Sequence, residues 1–202
     1  MKETIVYVHG KGGSAAEAKR YRSLFPESRV IGFDYRSQTP WEAREEFPAF
    51  FAESRKTSDS LTLVANSIGA FFSLLSLGEE LVDRAYLISP VVDMERLIRD
   101  MMTWAKVTER ELEERGEIPT DFGETLSWEY LRFVREHPVR WRVPTRILYG
   151  ERDHLTARET MEAFAARIGA ELTVMPGGEH WFHTEEQLRF LDRWITAPRH
   201  GG

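Results

Sequence analysis

At 202 residues the chain is the size of one domain and long enough to bury a core without disulfide or metal support. It has no cysteine, which excludes disulfide frameworks, thiolate zinc sites, iron–sulfur clusters and a cysteine nucleophile. Lys and Arg number 27 against 33 Asp and Glu, a net charge of −6, and no basic stripe is present, so a nucleic-acid partner is not expected.

Taken in chain order, Met1-Lys2-Glu3-Thr4 leads straight into the strand pattern Thr4–Val8. No signal peptide is therefore expected, and no apolar run approaches the roughly 18–20 residues that span a bilayer. The expectation is one cytoplasmic domain over residues 1–202, with no membrane partner. Further short runs, apolar at their centres, read as strands at Arg29–Tyr35, Leu61–Ala65, Arg84–Ile88, Thr145–Tyr149 and Glu171–Met175. Near-continuous apolar centres suit strands covered on both faces. Between them lie helix starts with capping-box spacing: Ser14-Ala15-Ala16-Glu17, Thr39-Pro40-Trp41-Glu42, Thr156-Ala157-Arg158-Glu159 and Thr184-Glu185-Glu186-Gln187. Gly169 suits a helix stop. This alternation predicts a six-stranded, mainly parallel sheet with helices on both faces, a three-layer α/β/α sandwich.

Residues 91–143 interrupt the rhythm. They are helix-patterned and carry Met101, Met102, Trp104, Phe122, Trp128 and Trp141. A crossover needs only a dozen or so residues, so the surplus reads as a helical cap insertion over the sheet's C-terminal edge. Ordinary packing helices with core aromatics are the competing reading.

Leu63-Val64-Ala65-Asn66-Ser67-Ile68-Gly69-Ala70 reads as a strand turning sharply into a helix, with Ser67 at the apex. A strained apex needs small neighbours two residues away on either side, and Ala65 and Gly69 supply them. The usual pattern is G-x-S-x-G, from which Ala65 departs. Read alone, Asn66-Ser67 could equally be a helix cap. A serine nucleophile needs a base, and the base an orienting acid. Asp153 follows a strand in Gly150-Glu151-Arg152-Asp153, and His180 follows the last strand in Gly177-Gly178-Glu179-His180. Ligands of open parallel sheets bind beyond the strands' carboxyl ends, so the order Ser67, Asp153, His180 reads as a triad. His183 and His154 compete as the base, and Asp93 competes as the acid. The loop His9-Gly10-Lys11-Gly12-Gly13 could offer a backbone N–H to an oxyanion, Lys11 before Gly12, together with the N–H of Ile68. Its spacing fits neither common phosphate-binding glycine pattern.

These segments resemble the α/β-hydrolase superfamily, specifically its small serine hydrolases. His9-Gly10, Asn66-Ser67-Ile68-Gly69, Gly150-Glu151-Arg152-Asp153 and Gly178-Glu179-His180 carry the resemblance, which extends over essentially the whole chain. It implies a sheet trimmed of the first two of the usual eight strands.

The expected activity is cleavage of carboxylic esters, with thioesters or amides open to the same triad, through an acyl-enzyme on Ser67. Met101, Met102, Trp104, Trp128 and His154 are candidates to line a pocket for small to medium hydrophobic acyl groups. No cofactor is implied, and no metal, since His180 and His183 lack a third ligand. The expected partner is a small-molecule ester, and the expected assembly a monomer or homodimer. The alternatives are a non-catalytic ligand-binding protein of the same fold and an acyltransferase.

Overall fold

The computed structural model describes residues 2–198; residue 1 and residues 199–202 of the expected 1–202 domain lie outside the described residues. In chain order the elements are β1 (Glu3–Val8), a 3-10 turn (Ala15–Ala18), α1 (Lys19–Leu24), β2 (Arg29–Phe33), α2 (Pro40–Arg55), β3 (Ser60–Asn66), α3 (Ser67–Ser76) and β4 (Arg84–Ile88). There follow α4 (Met94–Ala105), α5 (Glu109–Arg115), β5 (Glu117–Pro119), β6 (Thr125–Ser127), α6 (Trp128–Glu136), β7 (Thr145–Gly150), α7 (Arg158–Ile168), β8 (Glu171–Met175) and α8 (Glu185–Thr196).

Six strands form one sheet in the order β2-β1-β3-β4-β7-β8, and every neighbouring pair is parallel. Successive side chains on a strand face opposite ways, so each strand serves two cores. On one face Val6, Val8, Leu63, Ala65, Leu87 and Ile147 pack with residues of α2, α3 and α7. On the other, Ile5, Tyr7, Val64, Tyr86, Ile88 and Leu148 pack with α1 and α8. The result is the three-layer sandwich. Each strand lies close to its expected bounds, but β2 ends at Phe33, before Tyr35.

Caps fix where several helices begin. Glu17 closes the box at Ser14, and the Thr39 hydroxyl accepts from the N–H of Glu42 while Pro40 opens α2. At α8 the Thr184 hydroxyl accepts from the N–H of Gln187, but Gln187 turns back to the N–H of His183. The expected box at Thr156 does not form. There Ala157 precedes the helix without a side-chain cap, because the Thr156 N–H donates to Asp153 and its carbonyl accepts from Tyr149.

Between β4 and β7 the chain builds helices and one feature that helical patterning did not anticipate, the antiparallel hairpin β5–β6. Ile98, Met102, Leu112, Ile118, Leu126 and Leu131 of this segment are buried, and they join the core on the α2/α3 face. Trp141, also buried, donates its indole N–H to Thr145 Oγ1 at 2.7 Å. Among the described residues no helix is long and apolar enough to cross a membrane.

Candidate active site

Ser67 sits where β3 meets α3, with φ at 47°, a left-handed conformation that strains a residue bearing a Cβ. Tight packing imposes it. A Cβ on Gly69 would stand 2.2 Å from the carbonyl oxygen of His9 and 2.9 Å from Val8 Cγ1. Only glycine lets the first turn of α3 approach the end of β1 so closely. The Val91 N–H donates to the Ser67 carbonyl at 3.2 Å, which ties the turn to the chain leaving β4.

Asp153 and His180 come from adjoining loops that are bonded to each other. The Glu151 N–H donates to the Met175 carbonyl at 3.1 Å and the Arg152 N–H to the Gly178 carbonyl at 2.7 Å. Asp153 is buried, and its Oδ1 accepts from the N–H groups of Leu155 (2.8 Å) and Thr156 (3.2 Å). Its Oδ2 lies 2.7 Å from His180 Nδ1, and His180 Nε2 lies 2.8 Å from Ser67 Oγ. The carboxylate can only accept, so Nδ1 carries the proton; Nε2 is then the acceptor for the serine hydroxyl. Burial pushes the Tyr149 phenol upward, so it stays a donor to the Thr156 carbonyl and braces the loop that carries Asp153.

The competing side chains lie elsewhere. His183 directs Nδ1 to the carbonyl of Trp181 at 2.7 Å and faces Glu179 at 3.5 Å. Asp93 caps α4 by accepting from the Arg96 N–H at 2.9 Å. His154 is exposed.

The loop after β1 turns tightly: the Gly13 N–H donates to the Gly10 carbonyl at 3.1 Å, with Gly12 at φ 74°. That bond does not use the N–H of Lys11. Ile68 is the second residue of α3, in a first turn whose N–H groups have no partner within the helix. Gly10 abuts the elbow, where a Cβ would meet Ser67 Cβ at 3.2 Å.

Two tyrosines missed in the sequence brace this corner. The Tyr35 hydroxyl donates to the His9 carbonyl at 3.0 Å while its ring stacks on the His9 imidazole at 4.4 Å. Burial, followed by the nearby Glu46 and Glu17 carboxylates, pushes that phenol up to about 12. The Tyr7 hydroxyl donates to Glu17 at 2.5 Å and accepts from Asn66 Nδ2 at 2.9 Å, holding the residue before the serine. Burial raises the Tyr7 phenol far above its ordinary range. The only signal in the sequence was a tyrosine within or just after an apolar strand.

A cavity of about 910 Å³ opens at Ser67 and His180, walled by Lys11, Gly12, Leu155 and Trp181 and floored by Tyr7 and Tyr21. The five residues expected to line it do not. Met102 is buried in the core on the α2/α3 face, and Met101 and Trp128 pack against that core. Trp104 is exposed and meets Phe122 edge to face, and His154 is exposed and absent from the cavity lining. The apolar stripe of α4 is used up by its own packing. The inserted segment reaches the site's wall instead through Glu124, whose Oε1 lies 2.5 Å from Lys11 Nζ.

The family model described as serine aminopeptidase, S33, matches residues 48–187, and the chain belongs to that family of α/β hydrolases. Solved structures agree on the fold. Est1E from Butyrivibrio proteoclasticus is similar with a TM-score of 0.74 at 15% identity, over 96% of this chain and 85% of that one. The α/β hydrolase domain-containing protein 10 from mouse gives 0.75 at 18% identity, over 95% and 87%. A soluble variant of monoglyceride lipase from Saccharomyces cerevisiae gives 0.63 at 11%, over 97% and 85%. No curated protein matches the chain by sequence.

Proposed function

We propose that this α/β hydrolase cleaves carboxylic esters of small to medium hydrophobic acyl groups with Ser67 as nucleophile. The reading rests on one observation, the hydrogen-bonded chain from Asp153 through His180 to Ser67, at 2.7 and 2.8 Å. Ser67 Oγ attacks the acyl carbon as its proton passes to His180 Nε2. The imidazolium is supported by the buried Asp153. The N–H groups of Lys11 and Ile68 receive the oxyanion; losing one such donor typically costs about 100- to 1000-fold. The tetrahedral intermediate collapses as His180 returns the proton to the departing alkoxide, leaving an acyl group on Ser67. Water then gives its proton to His180 and its oxygen to the acyl carbon, releasing the acid and restoring the serine. Residues 91–143 serve as a cap on this edge, a role supported by the Lys11–Glu124 contact.

The test is fluorophosphonate labelling followed by mass mapping of the modified peptide. One adduct per chain on Ser67, lost in His180→Ala, is the expected result. Absence of an adduct on the folded protein overturns the reading.

A further inference from the structure

Trp181 is the most exposed large apolar side chain of the described residues, 74% open to solvent. Water is a poor place for an indole, which has one of the largest apolar surfaces of any side chain. Yet the ring is not loose. It stacks on the His183 imidazole with centroids 4.7 Å apart and planes 24° from parallel. His183 is itself held, its Nδ1 against the Trp181 carbonyl at 2.7 Å and its N–H donating to Gln187 Oε1 at 3.0 Å. One face of the indole therefore meets the imidazole, while most of the ring's surface stays open to solvent. Trp181 directly follows His180 in the chain and lines the same cavity as Ser67, with Leu155 also on the wall.

Resting on the ester-hydrolase reading, we infer that Trp181 is a stacking platform for the substrate and that the preferred ester carries an aromatic ring in its alcohol portion. The choice of portion follows from the proton's path. His180 Nε2 must reach the departing alkoxide oxygen, so the group attached to that oxygen leaves the serine on the imidazole side, and Trp181 follows that histidine directly in the chain and lines the same cavity. Because ring faces and edges carry opposite partial charge, an offset-stacked or edge-to-face aromatic pair gains attraction beyond its area burial, which a saturated ring of equal size lacks.

Benzyl acetate and cyclohexylmethyl acetate separate aromaticity from bulk, since both are primary acetates of similar size. The native enzyme is expected to favour the benzyl ester by about 5-fold in kcat/KM, the order of a single aromatic pair. In Trp181→Ala that preference disappears because KM rises several-fold more for the benzyl ester than for cyclohexylmethyl acetate, which loses only the apolar contact that any ring makes with the indole. Trp181→Phe keeps most of the preference, which a merely structural role would not predict. An unchanged preference in Trp181→Ala, or an equal loss on both esters, overturns the platform. Labelling of Ser67 in the same preparations distinguishes the two levels. Labelled enzyme without the preference sinks only this inference, whereas failure to label sinks the hydrolase reading and this inference with it.

Discussion

The carboxyl edge of the sheet and the segment between β4 and β7 face each other across Lys11 and Glu124, and they are built differently. At the sheet edge, backbone bonds and buried groups fix each side chain. The loops after β7 and β8 are bonded together, the elbow is bonded to Val91, and Gly69 admits the end of β1. The segment between the strands is held by an apolar stripe and by ion pairs, with Arg135 donating to both Glu95 (2.8 Å) and Glu109 (2.6 Å). These contacts hold the Glu109 carboxyl below its ordinary range through the Arg135 hydrogen bond, and they raise the Arg135 guanidinium. Rigid backbone geometry thus belongs to the strand ends, where chemistry demands fractions of an ångström. The inserted segment spends its buried side chains on packing into the core shared with α2 and α3.

Substitutions of the polar side chains at the edge should therefore abolish chemistry at little cost in folding. In Ser67→Ala, kcat for ester hydrolysis should fall by about 10⁶-fold, the scale seen when a triad serine is removed, with the melting temperature little changed. Stopped turnover with intact circular dichroism is the expected outcome, and near-native turnover breaks the assignment. Asp153→Asn comes next, at about 10⁴-fold, because an amide at Oδ2 can donate and favours the wrong imidazole tautomer. Asp93→Asn is the control. Asn caps a helix about as well as Asp, so its kcat should stay within about twofold of native, and a large loss there would reassign the acid.

Stability probes sharpen the same contrast. Gly69→Ala places a methyl 2.2 Å from the His9 carbonyl oxygen. Strain of that kind typically costs about 1–3 kcal/mol, and each kcal/mol lowers the melting temperature by roughly 2–4 °C at this size. Since the clash displaces the loop carrying Lys11, activity per folded molecule should fall with it. Leu131→Ala, in the buried face of α6, should cost a comparable 2–5 kcal/mol or so while leaving kcat of the folded fraction near native. Thermal melts and active-site titration on the same samples check both, and a Gly69→Ala enzyme with native kcat would separate the elbow's packing from its chemistry.

How much of this was legible follows from the same division. Strands buried on both faces announce themselves, and Ser67, Asp153 and His180 stand out in the sequence because each follows the end of such a strand; the structure brings their side chains within hydrogen-bond distance. Tyr35 was read as the end of a strand, but it leaves β2 to reach the His9 carbonyl, a bond between residues 26 positions apart that no local pattern encodes. Strands β5 and β6 are three residues each, too short for a period of two to register. The assignment of Met101, Met102, Trp104 and Trp128 to a pocket failed for a further reason. Met94, Ile98 and Met102 recur at helical spacing and are buried, and such a stripe looks the same whether it faces a core or a ligand. Only the packing of α4 against the rest of the fold decides it.

The smallest expected effect tests the ion pair that joins the two regions. Lys11 and Glu124 are 70% and 41% exposed in their side chains, and exposed ion pairs contribute about 0–1 kcal/mol. Glu124→Gln should accordingly lower kcat/KM by no more than about 5-fold and leave the melting temperature almost unmoved. Salt should reproduce the change in the native enzyme, because at 1 M the screening length shrinks to about 3 Å. The exchange variant, Lys11→Glu with Glu124→Lys, keeps the backbone N–H at position 11 and restores the attraction, so it should recover most of the loss. If Glu124→Gln matches the native enzyme at every salt concentration, the inserted segment has no hold on the loop after β1, and catalysis belongs to the sheet edge alone.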